Sequence, residues 1–159
     1  MSERVYLSRA KHEEFTLKLD RLKKVDFPEN RIEMKAAMQG GGGMHDNAAY
    51  EHAAQREKIL LQQIAELENL LTNSRIIEEN DIDTSSVRIG TKVRLVDLDK
   101  KEEIYWIIGG AYDTDVDKNI ISYQAPVANG LLGKSIGDTV EIKVPKGILH
   151  LRILSIERK

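Results

Sequence analysis

The chain has 159 residues, 24 basic and 26 acidic side chains, a formal net charge of −2 and no cysteine. This length accommodates one ordinary domain or two small ones and excludes a large multidomain enzyme, while the near-neutral charge excludes a strongly basic nucleic-acid module. The lack of cysteine excludes disulfides and thiolate metal sites, and the apolar runs fall far short of the ~20 residues that span a bilayer. We therefore expect a cytoplasmic protein without membrane contact.

The first part of the chain, from about residue 8 to residue 39, has apolar residues at helical spacing. Pro28 lies inside this pattern. Because proline removes a backbone donor and clashes with the preceding turn, we expect a kink or break between residues 26 and 30. The predicted apolar stripe consists of Phe15, Leu19, Leu22, Ile32 and Ala36.

Four successive glycines at residues 40–43 end the first helical pattern, since glycine is costly in a helix interior. Asn47 is a suitable N-cap for a second helix, which we expect to end near Ser74. Two helices of this length joined by a short link form an antiparallel hairpin with its tip near residues 40–47. The second helix has its apolar residues at coiled-coil spacing, namely Tyr50, Ala53, Leu60, Ile64, Leu67 and Leu71.

After Glu78 the apolar period changes to two, which predicts short strands. A short helical turn is predicted over residues 128–134. The sequence therefore predicts an α+β protein, with a helical hairpin (coiled coil) over residues 1–78 and a small, mostly antiparallel β domain over residues 79–159. The predicted strands are residues 87–90, 92–96, 103–108, 119–123, 139–144 and 149–156.

Several strings in both parts resemble the bacterial GreA/GreB transcript cleavage factors, and together they cover essentially the whole chain. The first part carries Leu19-Asp20-Arg21-Leu22-Lys23 and Asp46-Asn47-Ala48-Ala49-Tyr50. The second part carries Gly90-Thr91-Lys92-Val93 and the run from Ala125-Pro126 through Asn129-Gly130-Leu131-Leu132-Gly133-Lys134. The last run is the most specific, because a coiled coil alone matches many unrelated proteins.

The resemblance implies a coiled-coil finger that enters the secondary channel of bacterial RNA polymerase, carried by an FKBP-like domain that docks near the channel rim. Such factors stimulate the polymerase's own hydrolysis of backtracked RNA near the RNA 3′ end and do not catalyse alone. No cofactor is then bound by the chain alone, Mg²⁺ is shared with the polymerase active site, and we expect a monomer. The implied partner-binding residues are Pro126, Asn129, Gly130, Leu131, Leu132, Gly133 and Lys134.

The predicted tip has only one of the two acidic residues of the family motif. Alignment through Asn47 and Tyr50 puts Asp46 at the second acidic position and Gly43 at the first. The resemblance makes Asp46 the candidate catalytic carboxylate and metal ligand in the complex with polymerase. The alternative for Asp46 is an acidic residue favoured by the dipole of the following helix. The tip residues as a set are Gly43, Met44, Asn47 and Tyr50.

His45 is a second catalytic candidate, either as a neutral imidazole near the scissile phosphate or as a proton carrier. The alternative is a solvated loop histidine. Lys35, Arg56 and Lys58 are the basic residues near the tip, and for Arg56 and Lys58 the alternative to an RNA contact is a solvated helix face.

Three functions remain open at this stage. The first is a cleavage factor that uses Asp46. The second is a cleavage-deficient regulator that occupies the channel and competes with true cleavage factors, which Gly43 favours. The third is a coiled-coil interaction protein unrelated to transcription, favoured only if the β domain does not bind polymerase.

A calcium loop is a further motif to consider in the second part. Asp113, Asp115 and Asp117 have the spacing of the opening of an EF-hand loop. Lys118, however, stands where that loop requires glycine. We therefore expect an acidic turn.

Overall fold

The computed structural model describes residues 4–40, 47–80 and 82–159. The described residues form two compact units. One falls within residues 12–74, and the other combines residues 4–11 with the described residues from 75 to 159. The predicted α+β class is confirmed, with a helical hairpin followed by a curled, mostly antiparallel sheet.

The hairpin consists of α1 (Arg9–Arg21), a π-helical turn (Leu22–Asp26), α2 (Phe27–Gln39) and α3 (Ala48–Thr72). Helices α2 and α3 pack against each other. The Asn30 side-chain amide donates a hydrogen bond to the Ala53 carbonyl at 3.0 Å, and Lys23 Nζ lies 2.6 Å from Glu68 Oε1. In these two contacts the residue number falls on one helix as it rises on the other, so the helices are antiparallel.

Pro28 does not break the first helix, so of the kink or break expected between residues 26 and 30 the break is absent. Arg21, Asp26 and Phe27 all have helical backbone angles. The irregularity is the π turn, where the Phe27 N–H donates to the Leu22 carbonyl five residues earlier. Pro28 follows directly after the π turn, in the first turn of α2.

The π turn also changes which face of α2 packs against α3. It contains one residue more than an α turn, and each residue of an α-helix rotates the face by about 100°. The predicted seam positions Ile32 and Ala36 are therefore wrong: Ile32 is 69% exposed, and Ala36 is also exposed. The side chains that turn inward are Asn30, which is buried, and Met34 and Ala37, which are half-buried.

The predicted seam of α3 is confirmed. Ala53 and Leu60 are buried, and the other predicted positions are half-buried: Tyr50, Ile64, Leu67 and Leu71. Asn47 caps the helix as predicted, because its side chain accepts a hydrogen bond from the Tyr50 N–H. The helix ends at Thr72, close to the predicted Ser74.

The second unit contains a five-stranded sheet and a short helix α4 (Pro126–Leu131). The strand order is β5-β4-β3-β7-β6, in which only the β4–β5 pair is parallel. Two three-residue strands, β1 (Val5–Leu7) and β2 (Ser74–Ile76), form a separate small sheet that the sequence analysis did not predict. The strands of the larger sheet are β3 (Thr91–Asp97), β4 (Glu102–Gly109), β5 (Ile120–Ser122), β6 (Thr139–Val144) and β7 (Gly147–Arg158).

The core of this unit lies between α4 and one face of the sheet. Its buried residues are aliphatic, and Trp106 and Tyr123 pack against it as partly buried side chains. The core comprises Val87, Val93, Leu95, Ile108, Ile121, Ala128, Leu131, Val140, Ile142, Leu151, Ile153 and Ile156. Within the described ranges, no helix combines the length and apolar character that a membrane span requires.

The strand predicted over residues 87–90 is wrong. Thr91 donates two hydrogen bonds to the Arg88 carbonyl, from its backbone N–H at 3.1 Å and from its hydroxyl at 2.6 Å. Gly90, between them, has a φ of +95°. These features form a turn in front of β3. Val87 nevertheless contributes a fully buried side chain to the core.

Candidate functional site

The end of the hairpin nearest the predicted tip is closed by Asn47. Its Oδ1 accepts from the Tyr50 N–H at 3.0 Å, and its Nδ2 donates to the Ala37 carbonyl at 2.6 Å. One side chain therefore caps α3 and ties it to the last turns of α2. The candidate tip residues Gly43, Met44, His45 and Asp46 lie outside the described residues.

Helices α2 and α3 carry charged side chains on their outer faces next to this end of the hairpin. Arg56 Nη1 lies 4.0 Å from Glu33 Oε2 across the hairpin, and the Arg56 side chain is 45% exposed. Lys35 and Lys58 are also exposed. These positions have the character of a solvated helix face.

The candidate partner-binding run divides into packing residues and exposed residues. Leu131 is fully buried in the core, and a Cβ on Gly130 would lie 2.8 Å from Ile142 Cγ1. Gly133 has a φ of +82°, a conformation that favours glycine. These three residues have structural reasons to be present.

The remaining residues of the run present side chains at the surface. Pro126, Asn129 and Lys134 are exposed, and Leu132 is half-buried. The backbone beneath them is fixed, since the Val87 N–H donates to the Lys134 carbonyl at 2.8 Å. The exposed members therefore form a candidate contact surface on a rigid support.

Ile136, two residues after Lys134 in the chain, was not among the predicted contact residues. The residue is 59% exposed and lies in a turn in which the Asp138 N–H donates to the Ser135 carbonyl at 3.0 Å. Gly137, with a φ of +91°, completes the turn. The Ser-Ile-Gly-Asp string was the available signal, because glycine and aspartate mark such turns.

The first acidic residue of the calcium-like run has a structural role in the second unit. Asp113 Oδ1 accepts from the Ser8 hydroxyl at 3.0 Å, and Oδ2 accepts from the Gly110 N–H at 2.9 Å. The Ser8 hydroxyl in turn accepts from the Lys11 N–H at 3.2 Å, so Asp113 holds the cap of α1. Strand β1 is thereby anchored next to the end of β4.

The other two acidic residues of this run form a turn. Asp115 Oδ1 accepts from the Asp117 N–H at 3.2 Å and caps the short 3₁₀ turn Val116–Lys118. In the part of the chain that the structure describes, no group of three or more histidine and acidic side chains is arranged to hold a metal ion.

A histidine site that the sequence analysis missed lies on the second unit. His150 Nδ1 is 2.8 Å from Asp99 Oδ2, and its Nε2 is 3.5 Å from Glu141 Oε1. The hydrogen bond to Asp99 and the charges of both carboxylates raise the pKa of His150 above its ordinary value of 6.5. The register that places Glu141 opposite His150 could be found only from strand pairing.

Replacement of His150 by glutamine is expected to remove a pH-dependent part of the stability. Because the folded state raises the pKa of His150, its stabilisation is fully present below about pH 6.5 and is lost as pH rises through the folded-state value. Urea denaturation at about pH 5 and about pH 9 tests this, and the native protein should exceed the variant in stability mainly at the lower pH. Asp99→Asn, which removes the charged acceptor, should give the same loss. A native-minus-variant difference that is equal at both pH values contradicts the assignment.

Comparison with known proteins assigns a family to both parts of the chain. The family model described as "Transcription elongation factor, N-terminal" matches residues 5–76, and that described as "Transcription elongation factor, GreA/GreB, C-term" matches residues 82–158. A protein from Chloroherpeton thalassium named transcription elongation factor GreA is 35% identical over 159 residues, which is 100% of both chains.

Two further proteins also match over nearly the whole chain. The transcription elongation factor GreA of Chlorobium phaeobacteroides is 37% identical over 158 residues, 98% of each chain. A crystal structure of GreA factor homolog 1 (Gfh1) of Thermus thermophilus has a TM-score of 0.43 and 24% identity, covering 98% of this chain and 99% of the other.

A hairpin matched by one elongation-factor model and a β unit matched by the other define the class of this protein, which is a transcription elongation factor. The chain belongs to the GreA/GreB family.

Proposed function

We propose that this protein binds bacterial RNA polymerase at the secondary channel and assists cleavage of backtracked RNA near its 3′ end. In this proposal the hairpin is the inserted part and the β unit docks near the channel rim. The observation that supports it is the match of elongation-factor family models to both parts of the chain, residues 5–76 and 82–158. The protein acts in the cytoplasm as a monomer.

The described hairpin has properties suited to insertion into a narrow channel. Helix α3 alone has 25 residues, and at 1.5 Å per residue it extends roughly 37 Å. The apolar side chains of its seam, such as Leu60, turn toward α2, and cross-helix ion pairs such as Lys23–Glu68 lie on the outside. Asn47 keeps the two helices joined at the end that leads to the tip. A hairpin of this length is suited to reach into a narrow channel.

The proposed chemistry belongs to the polymerase, with one contribution from this chain. Two-metal sites stabilise the attacking and leaving oxygens of phosphodiester hydrolysis. Asp46 offers a carboxylate oxygen, the type of ligand that Mg²⁺ prefers, and it immediately precedes the Asn47 cap. His45 is the proposed auxiliary proton carrier. The chain itself is then not an enzyme.

The proposed docking surface consists of Pro126, Asn129 and Lys134, with Ile136 beside them in sequence. Among the described residues, Lys134 has no carboxylate partner, so its ammonium group remains available for an acidic contact on the polymerase. Gly130, Leu131 and Gly133 support this surface through packing and backbone conformation. Leu132 lies at its half-buried edge.

A second function has its own supporting observation. Gly43 stands where the family motif has the first acidic residue, and glycine supplies no ligand. Since Mg²⁺ requires near-octahedral oxygen coordination, a missing carboxylate weakens any assistance that the tip gives. The alternative is therefore a regulator that occupies the channel and competes with true cleavage factors.

Asp46→Ala is expected to abolish whatever RNA cleavage the protein stimulates, because it removes the proposed oxygen ligand. The assay adds the protein to stalled, backtracked elongation complexes with Mg²⁺ and follows release of short 3′ RNA fragments. The native protein should give weak stimulation. The affinity for core polymerase, measured by native gel shift, should be the same for the native protein and the variant.

Asp20→Ala is the matched control, since Asp20 is an exposed aspartate on α1 that pairs only with a neighbouring lysine among the described residues. It should leave cleavage unchanged. Polymerase binding without stimulated cleavage by the native protein supports the regulator instead. Failure to bind polymerase contradicts both functions and leaves an interaction protein of another kind.

A further inference from the structure

The π turn between α1 and α2 gives the hairpin a second way to pack. We propose that α2 occupies two rotational phases against α3, the observed phase with Asn30 in the seam and an alternative phase with Ile32 in the seam. This inference rests on the packing of the described hairpin and not on the proposed function.

The observed phase buries polar atoms without hydrogen-bond partners. Asn30 is fully buried, and its Nδ2 donates to the Ala53 carbonyl while its Oδ1 has no hydrogen-bond partner among the described residues. Glu57, one turn beyond Ala53 on the same face of α3, has a buried Oε2 whose nearest charged partner, Arg31 Nε, lies at 4.0 Å, beyond hydrogen-bond distance. A buried acceptor that lost its water without gaining a donor destabilises the arrangement that buries it.

The alternative phase follows from continuing α1 as a regular helix. Counting at 3.6 residues per turn from Leu22, the positions that then face α3 are Val25, Glu29, Ile32 and Ala36. In the observed phase Val25 is 41% exposed and Ile32 is 69% exposed. Rotation would bury both and would return the Asn30 amide to water.

The two phases are close in free energy, because each places a polar residue in the seam between α2 and α3. The alternative phase brings Glu29 toward α3 and releases Met34 and Phe27, which are half-buried in the observed phase. The observed phase is also supported by an ion pair between the two helices, in which Arg31 Nε lies 4.0 Å from Glu57 Oε2. Neither phase therefore has all of the favourable contacts.

Pro28 favours the phase with the π turn. In an uninterrupted α-helix the N–H of residue 28 would donate to the Lys24 carbonyl, and a proline ring at that position clashes with that carbonyl. The π turn over residues 22–26 widens the helix just ahead of the proline, with the Phe27 N–H bonded to Leu22 instead. Removing the ring should therefore shift the balance toward the regular helix.

The rotation would be transmitted to the end of α2. This helix ends at Gln39, directly before the glycine run, and its Ala37 carbonyl receives the Asn47 side chain. A turn of about 100° would remove that carbonyl from Asn47 and break the hydrogen bond that joins α2 to the cap of α3. The π turn is thus a device that couples the packing of α2 to the hydrogen bond between Asn47 and Ala37.

Two neighbouring alanines report the phase. Ala36 is exposed and Ala37 is half-buried in the observed phase, and the chain has no native cysteine. Single variants Ala36→Cys and Ala37→Cys of the full chain are labelled with a maleimide, and the labelling rates are compared. We expect the residue-36 thiol to react about tenfold faster, and Pro28→Ala to lower this ratio by about threefold or more through slower labelling at 36 and faster labelling at 37.

Deletion of Lys24 combined with Pro28→Ala is the matched control, because it removes the extra residue and the proline ring together while keeping Asn30, Met34 and Ala37 on the inner face of a regular helix. In this double variant the ratio should stay as high as it is in the native-length chain with Pro28. An unchanged ratio in the native-length Pro28→Ala variants overturns the proposal. Equal acceleration of both thiols, with loss of helical circular dichroism, also overturns it, since that result indicates fraying rather than rotation.

Discussion

Gly43→Asp is expected to raise the rate of RNA cleavage that the protein stimulates by about 10- to 100-fold, equivalent to roughly 1.4–2.7 kcal/mol of transition-state stabilisation. The substitution places a carboxylate three residues before Asp46, at the position that the resemblance aligns with the first acidic residue of the family motif. Two carboxylates complete more of the oxygen shell that Mg²⁺ requires than one does. The measurement is the single-turnover rate of 3′ fragment release from backtracked complexes.

Gly41→Asp is the matched control for this gain. It adds the same charge to the same glycine run, two residues away from the motif position, and should leave the cleavage rate unchanged. Gly43→Asp combined with Asp46→Ala should also give no gain, because the second ligand is then missing. Equal acceleration by both aspartates would indicate a general charge effect and would contradict a ligand role for residue 43.

The helical hairpin could be predicted from periodicity, but the inner face of α2 could not. Apolar spacing correctly identified the seam of α3, which is regular over 25 residues. It failed at Ile32 because one additional residue in the π turn rotates everything that follows. Periodicity assumes a constant number of residues per turn. The hydrogen bond from the Phe27 N–H to the Leu22 carbonyl, just before Pro28, departs from that number.

Several short elements of the β unit also could not be predicted from apolar periodicity. Strands β1 and β2 have three residues each and are about seventy positions apart, so neither has a period that sequence alone can recognise. Residues 87–90 alternate in polarity as a strand does, yet Thr91 turns the chain at Arg88. In both cases a contact with another segment, or a single side-chain hydrogen bond, decides the local structure.

The candidate docking run could be found from sequence. Which of its residues pack in the core and which are exposed could not. The run contains residues that pack and residues that face solvent, and a sequence match gives them equal weight. Only the position of Ile142 explains Gly130, and only the core explains Leu131. The His150 site required the pairing of β6 with β7 for the same reason.

Leu131→Ala is expected to lower the free energy of unfolding of the β unit by about 3 kcal/mol, within the roughly 2–5 kcal/mol typical of buried leucines. Leu131 is fully buried, and it belongs to the core that holds α4 against the sheet. The loss combines missing apolar contacts with a cavity that the neighbours fill only in part. Urea denaturation followed by Trp106 fluorescence measures it.

Lys134→Ala separates docking from stability. This side chain is exposed, so its loss should change the unfolding free energy by no more than about 0.5 kcal/mol. Helix α4 has six residues, too few to be stable without its packing. Leu131→Ala should therefore weaken both folding and polymerase binding, whereas Lys134→Ala should weaken binding alone. Full polymerase affinity in the Lys134→Ala variant would exclude this lysine from the docking surface, and full affinity in the Leu131→Ala variant would show that docking does not depend on α4.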